Sequence, residues 1–237
     1  MSDRFLVTCE HGGKRIPSRY RPLFEGRETL LHSHRGYDPG ALRLARDLAA
    51  SLDAPLVVST TSRLLVDLNR SIGHPRLYSE ATRQAPAAVR REILARYYLP
   101  YRRRAEAQVA ALLAQGGRVL HIAAHSFTPV LDGVERRADV GLLYDPARPG
   151  EAALCGRWQA ILRARARDLR VRRNYPYAGR ADGFTTYLRR RFPADRYVGI
   201  ELEVNQRHVW AGGRHWRALR ELLVATLREA LAAPGEG

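Results

Sequence analysis

The chain has almost no lysine, although it is strongly basic. Lys14 is the only lysine among 40 basic residues, so the formal net charge of +16 at pH 7 comes from arginines spread along the whole chain. A genome biased towards GC-rich codons produces this composition without any selection for a polyanionic partner. Zinc-finger spacing and basic motifs interleaved with aromatic residues are both absent. We therefore expect no specific nucleic-acid partner, whereas the charge favours a small anionic substrate.

Cysteine is also scarce, and long apolar runs are missing. Cys9 and Cys155 are the only cysteines and lie far apart in no metal-binding spacing, which is typical of reduced thiols in a cytoplasmic protein. No apolar run approaches the roughly 20 residues that cross a bilayer. The first residues carry no basic segment followed by an apolar one, so we expect neither a secretory signal nor a membrane partner. A length of 237 residues fits a single domain, predicted over 1–237.

Three common catalytic motifs are absent as well. After Gly12 and Gly13 there is neither the phosphate-loop spacing nor its Lys-Ser/Thr ending. The missing HExxH motif excludes the thermolysin-like class of zinc enzymes. Ser126 lacks the GxSxG elbow of the serine hydrolases. We therefore expect neither a phosphate-loop enzyme nor a serine nucleophile.

Apolar runs typical of strands alternate with segments of helical periodicity. Strands are predicted at 4–9, 55–60, 118–127, 140–144 and 197–204, and helices after Asp38, over 86–114 with an interruption at Pro100, over 151–168 and over 214–233. Residues 63–70 are predicted to be extended, and residues 71–84 to form an exposed loop. The alternation is typical of α/β layers around a largely parallel sheet.

Ionisable side chains stand at the ends of three predicted strands. His11 follows the first strand, and His125 ends the central one. Glu201 and Glu203 lie two residues apart in the last strand, so both project from the same face. Because ligands of open α/β sheets bind beyond the carboxyl ends of the strands, these groups are expected at one centre. Buried carboxylates are costly unless they are paired or bound to a metal.

A zinc centre fits these residue types. Such a site takes about three protein ligands of nitrogen or oxygen type and keeps an open position for water. His11 and His125 are the obvious pair, and the third ligand is Asp38 or Glu10. One of the glutamates of the last strand would then act as general base. The alternative is that each histidine is an ordinary hydrogen-bonded loop residue.

Arginines lie close to the same sheet edge. Arg63 precedes the segment DLNR, which ends in Asn69 and Arg70, and Arg180 lies in a second loop. Arginine binds carboxylates in bidentate fashion, so these residues are candidate anchors for an acidic substrate. Alternatively, the arginines are solvated or engaged in structural ion pairs.

Six short segments, in this order, span nearly the whole chain: EHGGKRIP from Glu10, HRGYDPGA from His34, SRLLVDLNRS from Ser62, AAHSF from Ala123, NYPYAGRADGFT from Asn174 and GIELEVNQ from Gly199. Together they resemble the N-formylglutamate amidohydrolase family and, more distantly, the zinc carboxypeptidases and aspartoacylases. The resemblance implies a phosphorylase/hydrolase-like, three-layer α/β/α fold with a mixed, largely parallel central sheet. It also implies a mononuclear amidohydrolase with zinc as its cofactor.

The resemblance assigns metal ligands to this sequence. The histidine of AAHSF corresponds to a zinc ligand, which makes His125 the first ligand. The other zinc histidine of the carboxypeptidases opens an HxxE motif and corresponds to His11. Here Lys14 stands where that motif has its glutamate. Asp38 is therefore preferred over Glu10 as the third ligand.

The resemblance also implies a substrate site and a general base. The DLNR segment is similar to the carboxylate-binding segment of the aspartoacylases. This similarity implies that Arg63, Asn69 and Arg70 bind the carboxylate of the substrate. The general base falls in GIELEVNQ. Glu201 fits the GIE pattern of the aspartoacylases, whereas Glu203 fits the E-x-N pattern of the formylglutamate enzymes, which ends at the candidate substrate contact Asn205.

These observations predict metal-assisted hydrolysis of the amide of N-formyl-L-glutamate or a related N-acyl acidic amino acid. Zinc would lower the pKa of its water towards ~7 and, with an arginine, stabilise the oxyanion, while Glu203 or Glu201 takes the proton. Two alternatives belong to other classes of protein. One is a non-catalytic family member that binds small acidic ligands, indicated by Lys14 in place of a glutamate. The other is a basic nucleic-acid-binding protein.

Overall fold

The structure is a computed structural model, and it describes residues 3–233. The strands are β1 (Asp3–Cys9), β2 (Leu56–Val58), β3 (Arg118–Phe127), β4 (Val130–Leu131), β5 (Val134–Glu135), β6 (Val140–Leu143), β7 (Val171–Arg173) and β8 (Tyr197–Asn205). The α-helices are α1 (Glu28–His32), α2 (Ala41–Leu52), α3 (Ala87–Ile93), α4 (Leu99–Ala114), α5 (Pro149–Arg165), α6 (Phe184–Arg191), α7 (Arg207–Trp210) and α8 (Gly213–Ala232). A 3-10 helix spans Ser18–Phe24, and a π-helix spans Leu94–Tyr98.

The central sheet has six strands in the order β2-β1-β3-β8-β6-β7. The first four run parallel to one another, β6 is antiparallel to β8, and β7 is parallel to β6. Helices α2, α5 and α8 cover one face of the sheet, and α3, α4 and α6 cover the other. The predicted three-layer α/β/α fold with a mixed, largely parallel sheet is therefore confirmed.

Strand β3 distributes its side chains between the two layers. Leu120 and Ile122 pack into the core beneath α2, α5 and α8. The alternate residues face the other layer, because successive side chains of a strand point to opposite sides. His121 is fully buried there and hydrogen-bonded on both ring nitrogens. His125 lies on the same face and is paired across the ladder with Glu203 of β8.

The order of the strands places a crevice between β1 and β3. From β1 the chain continues to β2 on one side of it, and then returns to β3 on the other side. Such a switch point is where open α/β sheets bind ligands, beyond the carboxyl ends of the strands. The segments that follow β1 and end β3 therefore meet at the place where the sequence predicts a catalytic centre.

The long helical segment is split, as the proline in it predicts. The π-helix Leu94–Tyr98 separates α3 from α4, and Pro100 lies just beyond it. Proline lacks the N–H that would bond the carbonyl of Arg96, and its ring crowds that carbonyl. The wider π turn removes this conflict without ending the helix.

Of the two sequence-based predictions in the segment after β2, the first was wrong and the second was only partly right. Residues 63–70 form successive turns rather than an extended strand, closed by backbone hydrogen bonds such as Leu65 N to Ser62 O. Their apolar side chains enter the core beneath α4 and α6 instead of pairing with a strand. The predicted exposed loop at 71–84 is partly buried, since Leu77 belongs to the same core and its carbonyl accepts the N–H of Asp67.

None of the helices within residues 3–233 combines the length and the apolar character that a membrane span requires.

Candidate active site

Three buried side chains converge at the carboxyl ends of β1 and β3. His11 follows β1, His125 lies near the end of β3, and Asp38 lies shortly before α2. Nδ1 of His125 is 2.9 Å from Oδ2 of Asp38, and Nδ1 of His11 is 3.4 Å from the same oxygen. The backbone N–H of Asp38 donates to the carbonyl of His11 (2.9 Å), which ties this turn to the end of β1. One ligand atom from each residue lies within 4.8 Å of the others.

The second nitrogen of each imidazole faces a further carboxylate. Nε2 of His11 donates to Oδ1 of Asp67 at 2.8 Å. Nε2 of His125 lies 3.1 Å from Oε2 of Glu10, whose other oxygen accepts the hydroxyl of Tyr101 at 2.8 Å. Both rings are therefore oriented with Nδ1 towards Asp38. Glu10 stands on the far side of the His125 ring, which favours Asp38 as the third ligand.

The ionisable groups of this cluster strongly shift one another's pKa values. Burial alone would lower the pKa of His125, but Asp38 and Glu10 outweigh it and raise that pKa well above its usual value. Burial alone would raise the pKa of Asp38, yet His11 and His125 hold it well below its usual range. The pKa of Glu10 is lowered to about 2 because His125 overcomes the effect of burial. The carboxylates are therefore ionised and available to a cation.

The His11, Asp38 and His125 cluster fits a divalent cation. Around four-coordinate zinc with bonds of about 2.1 Å, neighbouring ligand atoms stand roughly 3.4 Å apart. The two distances to Oδ2 of Asp38 are close to that spacing. Histidines that bind a metal through one nitrogen commonly donate the other N–H to a carboxylate, as His11 does to Asp67 here, and the carboxylate of Glu10 lies 3.1 Å from the corresponding nitrogen of His125.

Glu201 and Glu203 project from the same face of β8, but their surroundings differ. Glu201 accepts the hydroxyl of Thr185 at 2.6 Å. Glu203 lies beside His125, and its Oε2 is buried without a hydrogen-bond partner among the described residues. Burial raises the pKa of Glu203 to about 7, which suits a group that exchanges a proton near neutral pH. These contacts favour Glu203 over Glu201 as the general base.

Arg63 is engaged with the cluster. Its Nη2 and Nε donate to Oδ2 of Asp67 at 2.7 and 3.2 Å, and its Nη1 lies 3.4 Å from Oδ1 of Asp38. The guanidinium thus neutralises two buried carboxylates that also contact His11. The structure places Arg63 in the ion-pair role that the sequence left as an alternative, with one edge still lining the cavity.

Asn69 and Arg70 line the same cavity and keep donors free. Nη1 of Arg70 donates to the carbonyl of Asp182 at 2.5 Å, and no carboxylate of the described residues pairs with Arg70. Oδ1 of Asn69 accepts the N–H of Phe184 at 2.6 Å. The amide N–H groups of Asn69 have no acceptor among the described residues, so they remain available to a ligand.

Two other predicted substrate contacts do not line the cavity. Arg180 is exposed and does not line the cavity, although the next two residues of its loop, Ala181 and Asp182, do. Asn205 is fully buried, and its Nδ2 donates to the carbonyls of Arg136 and Ala138 at 3.0 and 2.9 Å. Its amide is thus used to hold the backbone of the neighbouring segment.

The cavity has a volume of about 420 Å³, a size suited to a small metabolite. Its carboxylates are Asp38, Asp67, Glu80, Asp182, Glu201 and Glu203, and its guanidinium groups are Arg35, Arg63, Arg70, Arg76 and Arg83. Arg35 is paired with Glu80 (2.8 Å), whereas Arg76 and Arg83 are exposed and have no carboxylate partner among the described residues. The cavity therefore combines a buried acidic cluster with unpaired arginines.

The sequence did not assign a role to three residues that shape this site. Asp67 orients His11, and it stands in the DLNR segment as an acid within an apolar run, which was a usable signal. Tyr177 lines the cavity, although its segment was predicted only as a loop. Thr185 holds Glu201, and nothing in the sequence distinguishes it from other threonines.

The fold and the site define an α/β/α protein with a buried, candidate metal-binding His/Asp/His cluster at the switch point of its sheet. The family model of N-formylglutamate amidohydrolase matches residues 3–210, and the chain belongs to this family. It is therefore a hydrolase that acts on an amide. No curated protein matches the chain.

At least two solved structures are similar over nearly the whole chain. The gene product Atu2144 from Agrobacterium tumefaciens is 30% identical, with a TM-score of 0.83 over 96% of this chain and 90% of that one. The N-formylglutamate amidohydrolase from Ralstonia eutropha JMP134 is 20% identical, with a TM-score of 0.69 over 97% of this chain and 94% of that one. The second similarity is one of fold.

Proposed function

We propose that this chain is a zinc-dependent amidohydrolase that cleaves N-formyl-L-glutamate or a closely related N-acyl acidic amino acid. The main support for this proposal is the position of Glu203, which lies beside His125 and lines the same cavity as the His/Asp/His cluster. One of its carboxylate oxygens has no hydrogen-bond partner among the described residues. The reaction adds water across the amide and, from the formyl substrate, releases formate and L-glutamate. The whole chain, 1–237, would form one amidohydrolase domain.

His11, Asp38 and His125 would hold the metal. When bound, it would supply a positive charge that polarises the scissile carbonyl and lowers the pKa of a water molecule. Asp67 and Glu10 keep the two imidazole rings turned towards Asp38. Both histidines must give up a proton to bind a metal, so its affinity is expected to weaken as the pH falls.

Glu203 would accept the proton of the attacking water and deliver it to the leaving amine. Its buried Oε2 has no hydrogen-bond partner among the described residues, so that oxygen is free to receive the proton. Glu201 would remain a supporting group because Thr185 already donates to it. A positioned acid–base group of this kind typically accelerates the reaction about 10²–10⁴-fold.

Arg70 and Asn69 would bind a carboxylate of the substrate. Arg70 has no carboxylate partner among residues 3–233, and Asn69 keeps its amide N–H groups free. Charge-assisted hydrogen bonds of this type are roughly twice as strong as neutral ones. The exposed Arg76 and Arg83 would add attraction for an anionic substrate at the edge of the cavity.

A formate-release assay on the zinc-loaded protein tests this function. We expect N-formyl-L-glutamate to be hydrolysed with a larger kcat/KM than N-formyl-L-leucine, because the leucine side chain offers no second carboxylate. Release of acetate from N-acetyl-L-glutamate measures tolerance for a larger acyl group. Absence of hydrolysis of every N-acyl amino acid by protein that contains stoichiometric zinc would contradict the proposal.

A further inference from the structure

Arg136 is a buried cation without a carboxylate partner. The residue is 9% exposed, and none of the salt bridges of the described residues includes it. Nη1 of Arg136 donates to the hydroxyl of Tyr177 at 3.0 Å. Nε and Nη2 have no hydrogen-bond acceptor among residues 3–233. These two nitrogens are not fully buried, and a guanidinium that is shielded over most of its surface and has no carboxylate partner favours an anion nearby.

The backbone and the aromatic neighbours of Arg136 hold the guanidinium in place. Its N–H donates to the carbonyl of Pro129 at 2.7 Å, and its carbonyl accepts the amide of Asn205. The guanidinium carbon lies 6.0 Å from the ring centroid of Phe127 and 5.0 Å from that of Tyr177. A guanidinium held in this way is pre-organised to fix the hydroxyl it binds.

Tyr177 connects Arg136 to the cavity. Tyr177 lines the cavity, and its hydroxyl oxygen accepts a hydrogen bond from Arg136. Its own proton is donated to no acceptor among the described residues. A phenol whose oxygen accepts a hydrogen bond from a cation donates its own proton in a stronger hydrogen bond. The Glu203 carboxylate is among the groups that raise the pKa of Tyr177, after burial, so the two groups are within electrostatic reach.

His34 is a second cavity residue on which the charge of Arg136 acts, and it does not offset that charge. Burial lowers the pKa of His34, and Arg35, Arg136 and Arg63 lower it further. The imidazole is therefore neutral near pH 7 and adds no second positive charge beside Arg136.

We propose that Tyr177 and Arg136 form a second carboxylate-binding subsite, in which Tyr177 donates its hydroxyl proton to the substrate and Arg136 positions that hydroxyl. The inference rests on the proposed function and deepens it. Arg70 and Asn69 bind one carboxylate of the substrate, and the Tyr177–Arg136 pair binds the other. The pair thus selects N-acyl amino acids that carry two carboxylates. Tyr177 contacts the substrate, whereas Arg136 is a positioning residue.

The test compares N-formyl-L-glutamate with N-formyl-L-glutamine, which has nearly the same shape and one negative charge less. Tyr177→Phe is expected to reduce the preference for glutamate, as the ratio of kcat/KM values, about tenfold, since it removes one hydrogen bond to a charged group. The loss should appear in KM rather than kcat. Arg136→Gln should have at least the same effect, and Arg136→Lys should restore part of the preference.

A second pair in the chain serves as a matched control. Arg172 is stacked over Tyr175 at 5.1 Å, much as Arg136 is over Tyr177, but neither residue lines the main cavity. Tyr175→Phe and Arg172→Gln are expected to leave the glutamate preference unchanged. An equal loss for both substrates in Tyr177→Phe, or a loss confined to kcat, would overturn the proposal.

Equilibrium binding separates this subsite from the proposed function. Calorimetry with L-glutamate and L-glutamine measures the same preference on the zinc-loaded protein without any hydrolysis. Tyr177→Phe is expected to weaken the binding of glutamate about tenfold relative to that of glutamine. This result would support the subsite even if no N-acyl amino acid were hydrolysed. Equal weakening of both amino acids would reject the subsite even if N-formyl-L-glutamate were the substrate.

Discussion

His125→Ala is expected to lose zinc and to hydrolyse N-formyl-L-glutamate about a thousandfold more slowly than the wild type, because a metal charge typically supplies several kcal/mol of transition-state stabilisation. His125 is the histidine whose Nδ1 lies nearest to Oδ2 of Asp38. Its removal leaves only two of the three proposed ligands. Metal content by atomic emission and formate release from the same preparation measure both effects. Full zinc and full activity in this variant would place the catalytic centre elsewhere.

Glu10→Gln provides the matched control for this substitution. Glu10 contacts the other nitrogen of the same ring, so its loss is expected to weaken zinc binding about 10- to 100-fold without removing a ligand. The variant should still reach one zinc per chain at a sufficient concentration. If Glu10→Gln instead bound no zinc and Asp38→Asn bound it normally, Glu10 would be the third ligand. Circular dichroism checks that each variant is folded, because all three positions are buried.

Glu203→Gln is expected to bind zinc as the wild type does and to lose about 10²–10⁴-fold in kcat. Glutamine keeps nearly the same shape but cannot accept the proton of the attacking water. Since KM depends on the contacts of the substrate with Arg70 and Asn69, it should change little. Zinc content, kcat and KM of the purified variant together distinguish loss of the base from loss of the metal.

Glu201→Gln is the control for the neighbouring carboxylate. Glu201 accepts a hydrogen bond from Thr185, and the amide oxygen of glutamine accepts the same bond. We therefore expect a much smaller loss of kcat than for Glu203→Gln. The opposite order of the two variants would show that Glu201 is the base and that the E-x-N pattern does not mark it.

The parts of the site that follow from strand periodicity could be predicted from the sequence. Glu201 and Glu203 share a face of β8 because side chains alternate along any strand. His125 ends the central strand as its apolar run indicates, and the two strands are neighbours in the sheet. These inferences use local patterns and the general rule that parallel strands bring their carboxyl ends to one edge.

The arginines and the turns could not be predicted in the same way. In a chain so rich in arginine, nothing local separates the exposed Arg180 from the buried Arg136, which is held by a hairpin and by Asn205. Residues 63–70 have the apolar content of a strand, but the partner they pack against is the distant layer of α4 and α6. Their turns also bring Asp67 to His11, a contact that depends on packing rather than on spacing.

Lys14 in place of a glutamate no longer argues for a non-catalytic protein. Asp38 supplies a carboxylate to both histidines from another segment of the chain. The absence of specific nucleic-acid binding remains a prediction, as does the cytoplasmic location. For nucleic acid, the prediction is binding that is weak and disappears at physiological salt, since contacts with phosphates release counterions.

The most direct test of the metal centre is a zinc titration of the metal-stripped wild-type protein, followed by formate release from N-formyl-L-glutamate. With His11, Asp38 and His125 as one centre, the rate should rise in proportion to added zinc and level off at one equivalent per chain. A metal-stripped protein as active as the reconstituted one would contradict the metal centre and the mechanism built on it.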